Sequence, residues 1–551
     1  MTSKGERRSL AGAYVAGEAD AVELVGGHFG DAERWAAAVR DAGPLHDSAR
    51  KALHAQNASG PDSEARCASL RAIDDEGTVM VVTGQQPGLF GGPLLAYLKA
   101  ASAVTLARRV EREHGARCVP VFWVQSEDHD FDEIAEHVWL DGSGALGSAR
   151  IAAAAPVVAA NATLSASEQD RVPLEHRVLG DDVGRCLDAL ETGLAGTLHG
   201  GQVVRTVRRA YAADAGLAEA FAALLSELFA EAGLLVLRPR SPGIAQALSS
   251  LHVQCVERMA DIEDALRHRA SELQRCGFGA QVPVREGAAL AFFHPDGALG
   301  PRYRIVRAEG GGDALSLAGR DDALTRDDLL AAAEREPLRF STSALLRPIA
   351  QDHLLPTVAY VGGPSELAYF AQLPPLYDAF EMRPPVIVPR LSARWMDAEA
   401  RALLAGRSVD DESLADDGPI ARELGSAASG FDLDGLVGRL HDAVAGELEA
   451  ARPKLEALDP GLAKACDKTE ATARDAGDKL VRRATRAALS RAPDGRARLA
   501  RLRAMLRPRG EPQERVLGWT SIAARLGLDR LRETALGFDP LEPGTRDIAD
   551  E

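Results

Sequence analysis

Seven consecutive residues, Glu127-Asp128-His129-Asp130-Phe131-Asp132-Glu133, carry five carboxylates and one imidazole. Repulsion within such a run raises some carboxyl pKa values and favours a bound cation, amine or proton. The chemistry open to it is Mg2+ ligation, general-base action or recognition of a substrate amine; the plainer alternative is a solvated acidic turn. Mononuclear zinc is disfavoured, since no second histidine stands at helical spacing. Upstream, Gly84-Gln85-Gln86-Pro87-Gly88-Leu89-Phe90-Gly91-Gly92-Pro93 offers four glycines that permit positive φ and close ligand approach. Pro93 suits the first turn of a following helix, whose N-terminal N–H groups attract anions. The spacing is neither GxGxxG nor GxxxxGK[ST], so dinucleotide and Walker readings fail. An anion or nucleotide loop and a tight structural turn both remain.

These two loops need strands to hold them. Val79–Thr83 and Val119–Val124 are short apolar runs bracketing an apolar helix, the pattern of a right-handed βαβ unit. Ligands of open α/β sheets bind outside the carboxyl ends of the strands, which puts both loops on one crevice. The intervening helix carries Lys99, the only lysine between residues 52 and 453 in a chain with seven lysines. A chain that otherwise uses Arg has reason to keep Lys where a compact ammonium is needed, although chance explains it equally well.

A second polar region repeats the logic. Arg347, Gln351 and Asp352 precede the strand-like Thr357–Val361, whose Tyr360 runs into Gly362-Gly363-Pro364-Ser365-Glu366 and another helix start. Val386–Val388 makes a further strand with Arg390 at its exit. With Leu234–Leu237, strands near 80, 120, 235, 359 and 387 predict a doubly wound parallel sheet. Between them the pattern predicts one helix over Ile244–Gln274, a hairpin of Ala288–Phe293 and Tyr303–Val306 through Pro295-Asp296-Gly297, and a helix capped by Thr325. The expected organisation is an N-terminal helical segment (1–78), a core (79–398) with an inserted subdomain (about 141–233 and 276–325), and a helical domain with a tail returning to the core (399–551). In the last, Gly406–Gly430 reads as loop. Leu433–Leu458 and Gly461–Leu489, broken by Pro460 and Pro493, read as an antiparallel coiled coil. Lys479–Arg509 holds eleven basic residues and one acid, Asp494: a nucleotide-facing patch or a solvated face.

Bulk properties narrow the class. The formal net charge of −17 argues against general nucleic-acid or anionic-membrane binding. No apolar run reaches the roughly 20 residues of a membrane helix, and the first residues lack the apolar core of a secretion signal. Six scattered cysteines form no CxxC pair, as expected of reduced thiols in a cytoplasmic protein.

Five stretches in register, TGQQPGLFGGPLLAYLKA, PVFWVQSEDHDFDEIAEH, LLRPIAQDHLLPTVAYVGGPSELAYFAQL, PPVIVPRLS and LRPRGEPQER, resemble the cysteine ligase family of bacillithiol biosynthesis, BshC. The resemblance implies an α/β, Rossmann-like doubly wound core with inserted subdomains and a C-terminal α-helical coiled-coil domain associated with homodimers. It implies a ligase that joins cysteine to the amino group of glucosaminyl malate. A carboxylate is a poor electrophile, so ATP, with Mg2+, is the expected activator. The Gly84–Gly92 loop and Lys99 are then expected to hold phosphate or carboxylate charge, and Arg347 and Arg390 to grip the malate carboxylates. His129, flanked by Glu127, Asp128 and Asp130, is expected to take the ammonium proton. Gln85, Gln86, Gln351, Asp352, Tyr360, Gly362, Gly363, Ser365 and Glu366 are expected to orient the substrates. Arg238-Pro239-Arg240-Ser241 departs from the pattern, which favours an acid there. The alternatives are another ATP-dependent amide ligase, a nucleotidyltransferase, or an inactive nucleotide- or thiol-binding regulator.

Overall fold

The structure is a computed structural model that describes residues 8–152, 154–157, 164–308, 314–320, 323–404, 410, 413–415, 418–492 and 494–549. Its centre is a five-stranded parallel sheet of β1 (Val79–Gln85), β2 (Cys118–Val124), β3 (Leu235–Leu237), β4 (Thr357–Gly362) and β5 (Val386–Pro389). The order across the sheet is β5-β4-β1-β2-β3. From the other edge this reads 3-2-1-4-5, the doubly wound order in which the direction of strand addition reverses between β1 and β4. The strands are near-continuous Val, Ile, Leu and aromatic runs because both faces of a parallel sheet are covered.

Register decides where the polar loops emerge. Gln85 lies opposite Val124, Trp123 opposite Leu237, Thr83 opposite Val361 and Gly362 opposite Pro389. The five strands therefore end at one level, and Gln86, Glu127, Arg238, Gly363 and Arg390 all leave the sheet at the same edge. The helix α1 (Leu94–His114) returns the chain from β1 to β2, with Pro93 at its N-cap position rather than inside its first turn.

A second, antiparallel sheet is formed by Ala323–Leu324, Leu315–Leu317, Tyr303–Arg307, Ala288–Phe293 and Phe340–Thr342, in that order. It contains the expected hairpin, with Phe293 opposite Tyr303, and leads through the helix Leu346–Leu354 into β4. Thr325 caps the helix Arg326–Arg335 in a reciprocal pair with Asp328. Two expectations fail. Ile244–Gln274 is not one helix but three, Pro242–Ala247, Ser249–Glu257 and Met259–Arg275. Apolar periodicity carries across such breaks and does not register them. Within Gly406–Gly430, read as loop, residues Pro419–Ser429 form a helix with Gly430 in the left-handed conformation that ends it; 406–409, 411–412 and 416–417 lie outside the described residues, as does Pro493.

By contacts the chain divides into two units, one of residues 1–139, 148–393 and 518–546, the other of 140–147, 394–517 and 547–551. In the second, the helices Leu433–Leu458 and Leu462–Arg491 form a hairpin. His441 lies 2.9 Å from Asp478 and Arg452 2.5 Å from Asp467, pairings that only an antiparallel arrangement permits. From the basic stretch, Lys479 pairs with Asp475, and Arg498 and Arg501 both pair with Glu399.

Candidate functional site

The exit of β1 is knotted from within. Leu89–Gly91 make a single tight turn with Phe90 at φ 51°, and Gly88 to Gly92 are buried. A Cβ on Gly88 would stand 2.7 Å from the Gly92 Cα, so Gly88 is required by backbone meeting backbone, and a Cβ on Gly91 would stand 2.7 Å from the Trp519 indole nitrogen. Four of the loop's N–H groups are spent on the protein: Gly88 on Gln86 O, Leu89 on Ile134 O, Gly92 on Leu89 O, and Gly91 on Gly88 O and the Tyr211 hydroxyl. Tyr211 in turn donates to Gly88 O at 3.0 Å, and the Trp519 indole donates to Phe90 O at 2.9 Å. A phosphate cradle needs N–H groups pointing outward, so the expectation that Gly88, Gly91 and Gly92 bind an anion is not met. Gly84 is likewise structural, since a Cβ there would meet Trp123 O at 2.7 Å. Only the half-buried Gln85 and Gln86 look onto the crevice from this segment.

Lys99 stands behind them, 2% exposed. Its ammonium donates to Gly84 O at 2.8 Å and to Gln85 Oε1 at 2.9 Å, and it pairs with Glu366. An ammonium has three N–H donors, and these three partners use them. Burial pushes the Lys99 pKa down, with Glu366 opposing. Lys99 therefore braces the floor of the crevice instead of holding ligand charge, which corrects its expected catalytic place.

The exit of β4 continues this network. Glu366 accepts from the Tyr360 hydroxyl at 2.6 Å and from Gly363 N–H at 2.8 Å. Burial alone would raise its carboxyl, but Lys99 and the Gly363 N–H outweigh burial and hold it below the usual range. Arg347 lies over the Tyr360 ring at 5.0 Å and donates to Gln351 Oε1 at 2.9 Å and the Tyr369 hydroxyl at 2.7 Å. Gln351 passes a hydrogen bond to Asp352, which also accepts from Tyr377. Burial pushes the Asp352 carboxyl up to about 6. Arg347 is thus buried and committed to neutral partners, so it does not present its fork to a malate carboxylate as expected. Arg390 is half-buried at the rim, donates to Leu391 O at 2.9 Å and lies against Gly363. Ser365 is exposed on the outer turn of the following helix.

The exit of β2 is where unspent chemistry collects. Gln86 Nε2 donates to Asp128 Oδ2 at 2.8 Å and to Glu133 Oε2 at 2.9 Å, so the β1 and β2 loops do share one crevice. Asp128 Oδ1 accepts from His129 N–H at 2.7 Å and from Arg302 at 2.8 Å. Burial would raise the Asp128 carboxyl, but the His129 backbone N–H and the Arg302 guanidinium help to hold it well below the usual range. Glu127 turns the other way, accepting from the backbone and hydroxyl of Thr342, with Arg240 at 3.9 Å. Asp130 is exposed. The residues that sequence reasoning missed are Arg302, Thr342 and Arg240. All but Arg240 come from the antiparallel sheet or its edge, and no local motif marks them; Arg240 lies in the Arg238–Ser241 stretch that departs from the family pattern. Its guanidinium, 1% exposed, ties the β3 exit to Ala298 O, Leu338 O and the His176 and His294 rings. Among the described residues no group of three or more His, Cys, Asp or Glu is arranged to hold a metal ion.

A polar crevice at the carboxyl edge of a doubly wound sheet, with the antiparallel sheet's Arg302 and Thr342 against it, is where α/β folds bind small ligands. Comparison with known proteins narrows this. The family model described as "Bacillithiol biosynthesis BshC, N-terminal Rossmann-like domain" matches residues 2–391, and "Bacillithiol biosynthesis BshC, C-terminal coiled-coil domain" matches 421–544. The chain belongs to the BshC family. Among similar curated proteins, one from Koribacter versatilis is 33% identical over 497 residues, 88% of this chain and 85% of that protein. One from Heliobacterium modesticaldum is 34% identical over 410 residues, 72% and 71% of the two chains, and one from Bacillus cytotoxicus is 26% identical over 472 residues, 84% and 82%. All three carry the name "Putative cysteine ligase BshC". No helix among the described residues is long and apolar enough to cross a membrane.

Proposed function

We propose that this protein joins the carboxyl group of L-cysteine to the amino group of glucosaminyl malate, forming bacillithiol. The observation that carries the reading is the family match along both domains, to relatives named as cysteine ligases over most of their length. The crevice is chemically compatible with it, because the exposed Asp130 and the half-exposed His129 stand on the same loop as Asp128, which Gln86 ties to the β1 exit. A carboxylate and an amine do not condense in water, so the cysteine carboxyl must first be activated, and ATP is the reading's source of that activation. The glycines of the β1 loop do not fit the phosphates, as the N–H groups of Gly88, Gly91 and Gly92 are committed, and no residue of this crevice is assigned to them. In the coupling step the amine nitrogen attacks the activated acyl carbon, the bond to the leaving group breaks, and the nitrogen loses a proton. Pairing of two copies through the hairpin of residues 433–491, in the cytoplasm, belongs to the same reading.

The test is to mix purified protein with glucosaminyl malate, cysteine and Mg-ATP and look for bacillithiol by mass. Product that forms only with ATP supports both ligation and activation. Product without ATP removes the activation step, and absence of product under all conditions removes the reading. Light scattering of the same preparation reads the oligomeric state.

A further inference from the structure

Two nitrogens of Arg302 face one nitrogen of His129. Arg302 Nη2 lies 2.8 Å and Nε 3.0 Å from His129 Nδ1. A guanidinium has N–H donors and no lone pair to offer, so Nδ1 must be the acceptor. A neutral imidazole carries one proton, and with Nδ1 accepting, that proton is on Nε2. Asp128 Oδ1 lies 3.4 Å from the same Nδ1, farther than either guanidinium nitrogen, and its closer contact is with Arg302. Arg302 is itself held: 6% exposed, 4.4 Å over the Phe292 ring and within reach of Thr342 O at 3.4 Å. Asp128 is pinned in turn by Gln86. On the other side of the ring, His129 Nε2 has no protein partner among the described residues, and the side chain is 36% exposed.

We propose that Arg302 is a positioning residue that fixes the neutral His129 ring as its Nε2–H tautomer, so that His129 meets substrate as a hydrogen-bond donor to a carboxylate or acyl oxygen. The tautomer follows from the contacts alone; the oxygen it serves rests on the ligase reading. A ring protonated at Nε2 has no lone pair facing the crevice, so it cannot take the ammonium proton. That corrects the base role expected of His129. Asp128, locked to Arg302, is no better placed, and the exposed Asp130 is the carboxylate left at the rim to receive it.

Two measurements test this. In protein labelled with 15N-histidine, with the His129 signal assigned by its loss in His129→Gln, the wild type should show the Nε2–H pattern without any substrate. Arg302→Met, which keeps the stem and removes the donors, should shift it to a tautomer mixture. An Nδ1–H ring in the wild type would overturn the proposal whatever the enzyme makes. Once turnover is established, His129→Gln, whose amide N–H reaches the Nε2 position without basicity, should retain about tenfold more activity than His129→Ala. Equal loss in both variants would overturn the donor role, while absence of product from the wild type touches only the ligase reading.

Discussion

Lys99 and Glu366 form a buried ion pair at the point where the strand order reverses, one from the helix after β1 and the other from the helix after β4. In doubly wound sheets the crevice opens there because the two connections diverge to opposite faces. Here the pair closes its floor, while His129 and Asp130 stand at the β2 exit.

Removing one partner of this pair leaves the other charge buried. Lys99→Met should destabilise the protein by about 3–5 kcal/mol, and the double variant Lys99→Met with Glu366→Gln should recover a large part of that. A double-mutant cycle in urea measures the coupling. A single variant as stable as the wild type would show that the pair is not closed in solution.

Asp352 should give stability an unusual pH slope. Its folded carboxyl is pushed up to about 6 from 3.8, so between those values the folded state holds a proton that the unfolded state has lost. Stability from this group is full below about 4 and is lost as pH rises through about 6. Urea midpoints across that range should therefore show the wild type gaining on Asp352→Asn as pH falls. A gain in the opposite direction would contradict the burial of this carboxyl.

Gln86 is the bridge between the β1 and β2 loops, and it is only half-buried. Gln86→Leu should cost little in thermal midpoint and lower turnover by about tenfold, the effect of one hydrogen bond to a charged group. Steady-state assays beside a melting curve separate the two. A large loss of stability with unchanged turnover of the folded fraction would place Gln86 outside the site.

Tyr211 satisfies two backbone groups of the glycine turn with one hydroxyl. Tyr211→Phe should destabilise by about 1–3 kcal/mol, because Gly88 O and Gly91 N–H are buried where water cannot replace the hydroxyl. Chemical denaturation reads this directly, and a variant within experimental error of the wild type would show that water does reach the turn.

The sequence by itself determined the five parallel strands, because runs such as Val79–Val82 and Val119–Val124 are buried on both faces and admit few other fates. It also determined that polar loops leave those strands at one edge, and the motifs from Thr83 to Arg515 carried the family. It could not separate Gly88, Gly91 and Gly92 as ligand loop from the same glycines as a tight turn, since both demand the absence of a Cβ and, at Gly91 and Gly92, positive φ. Only the packing of Tyr211 and Trp519 against that turn decided it. Nor could it show which charges are spent: Lys99 and Arg347 read as ligand groups until Glu366, Tyr369 and Gln351 were brought against them. Nor could it place Arg302, some 170 residues away in the chain, against the His129 ring. Periodicity is a local property and survives in the sequence, whereas the protonation state of a ring is set by whichever atom the tertiary structure places beside it.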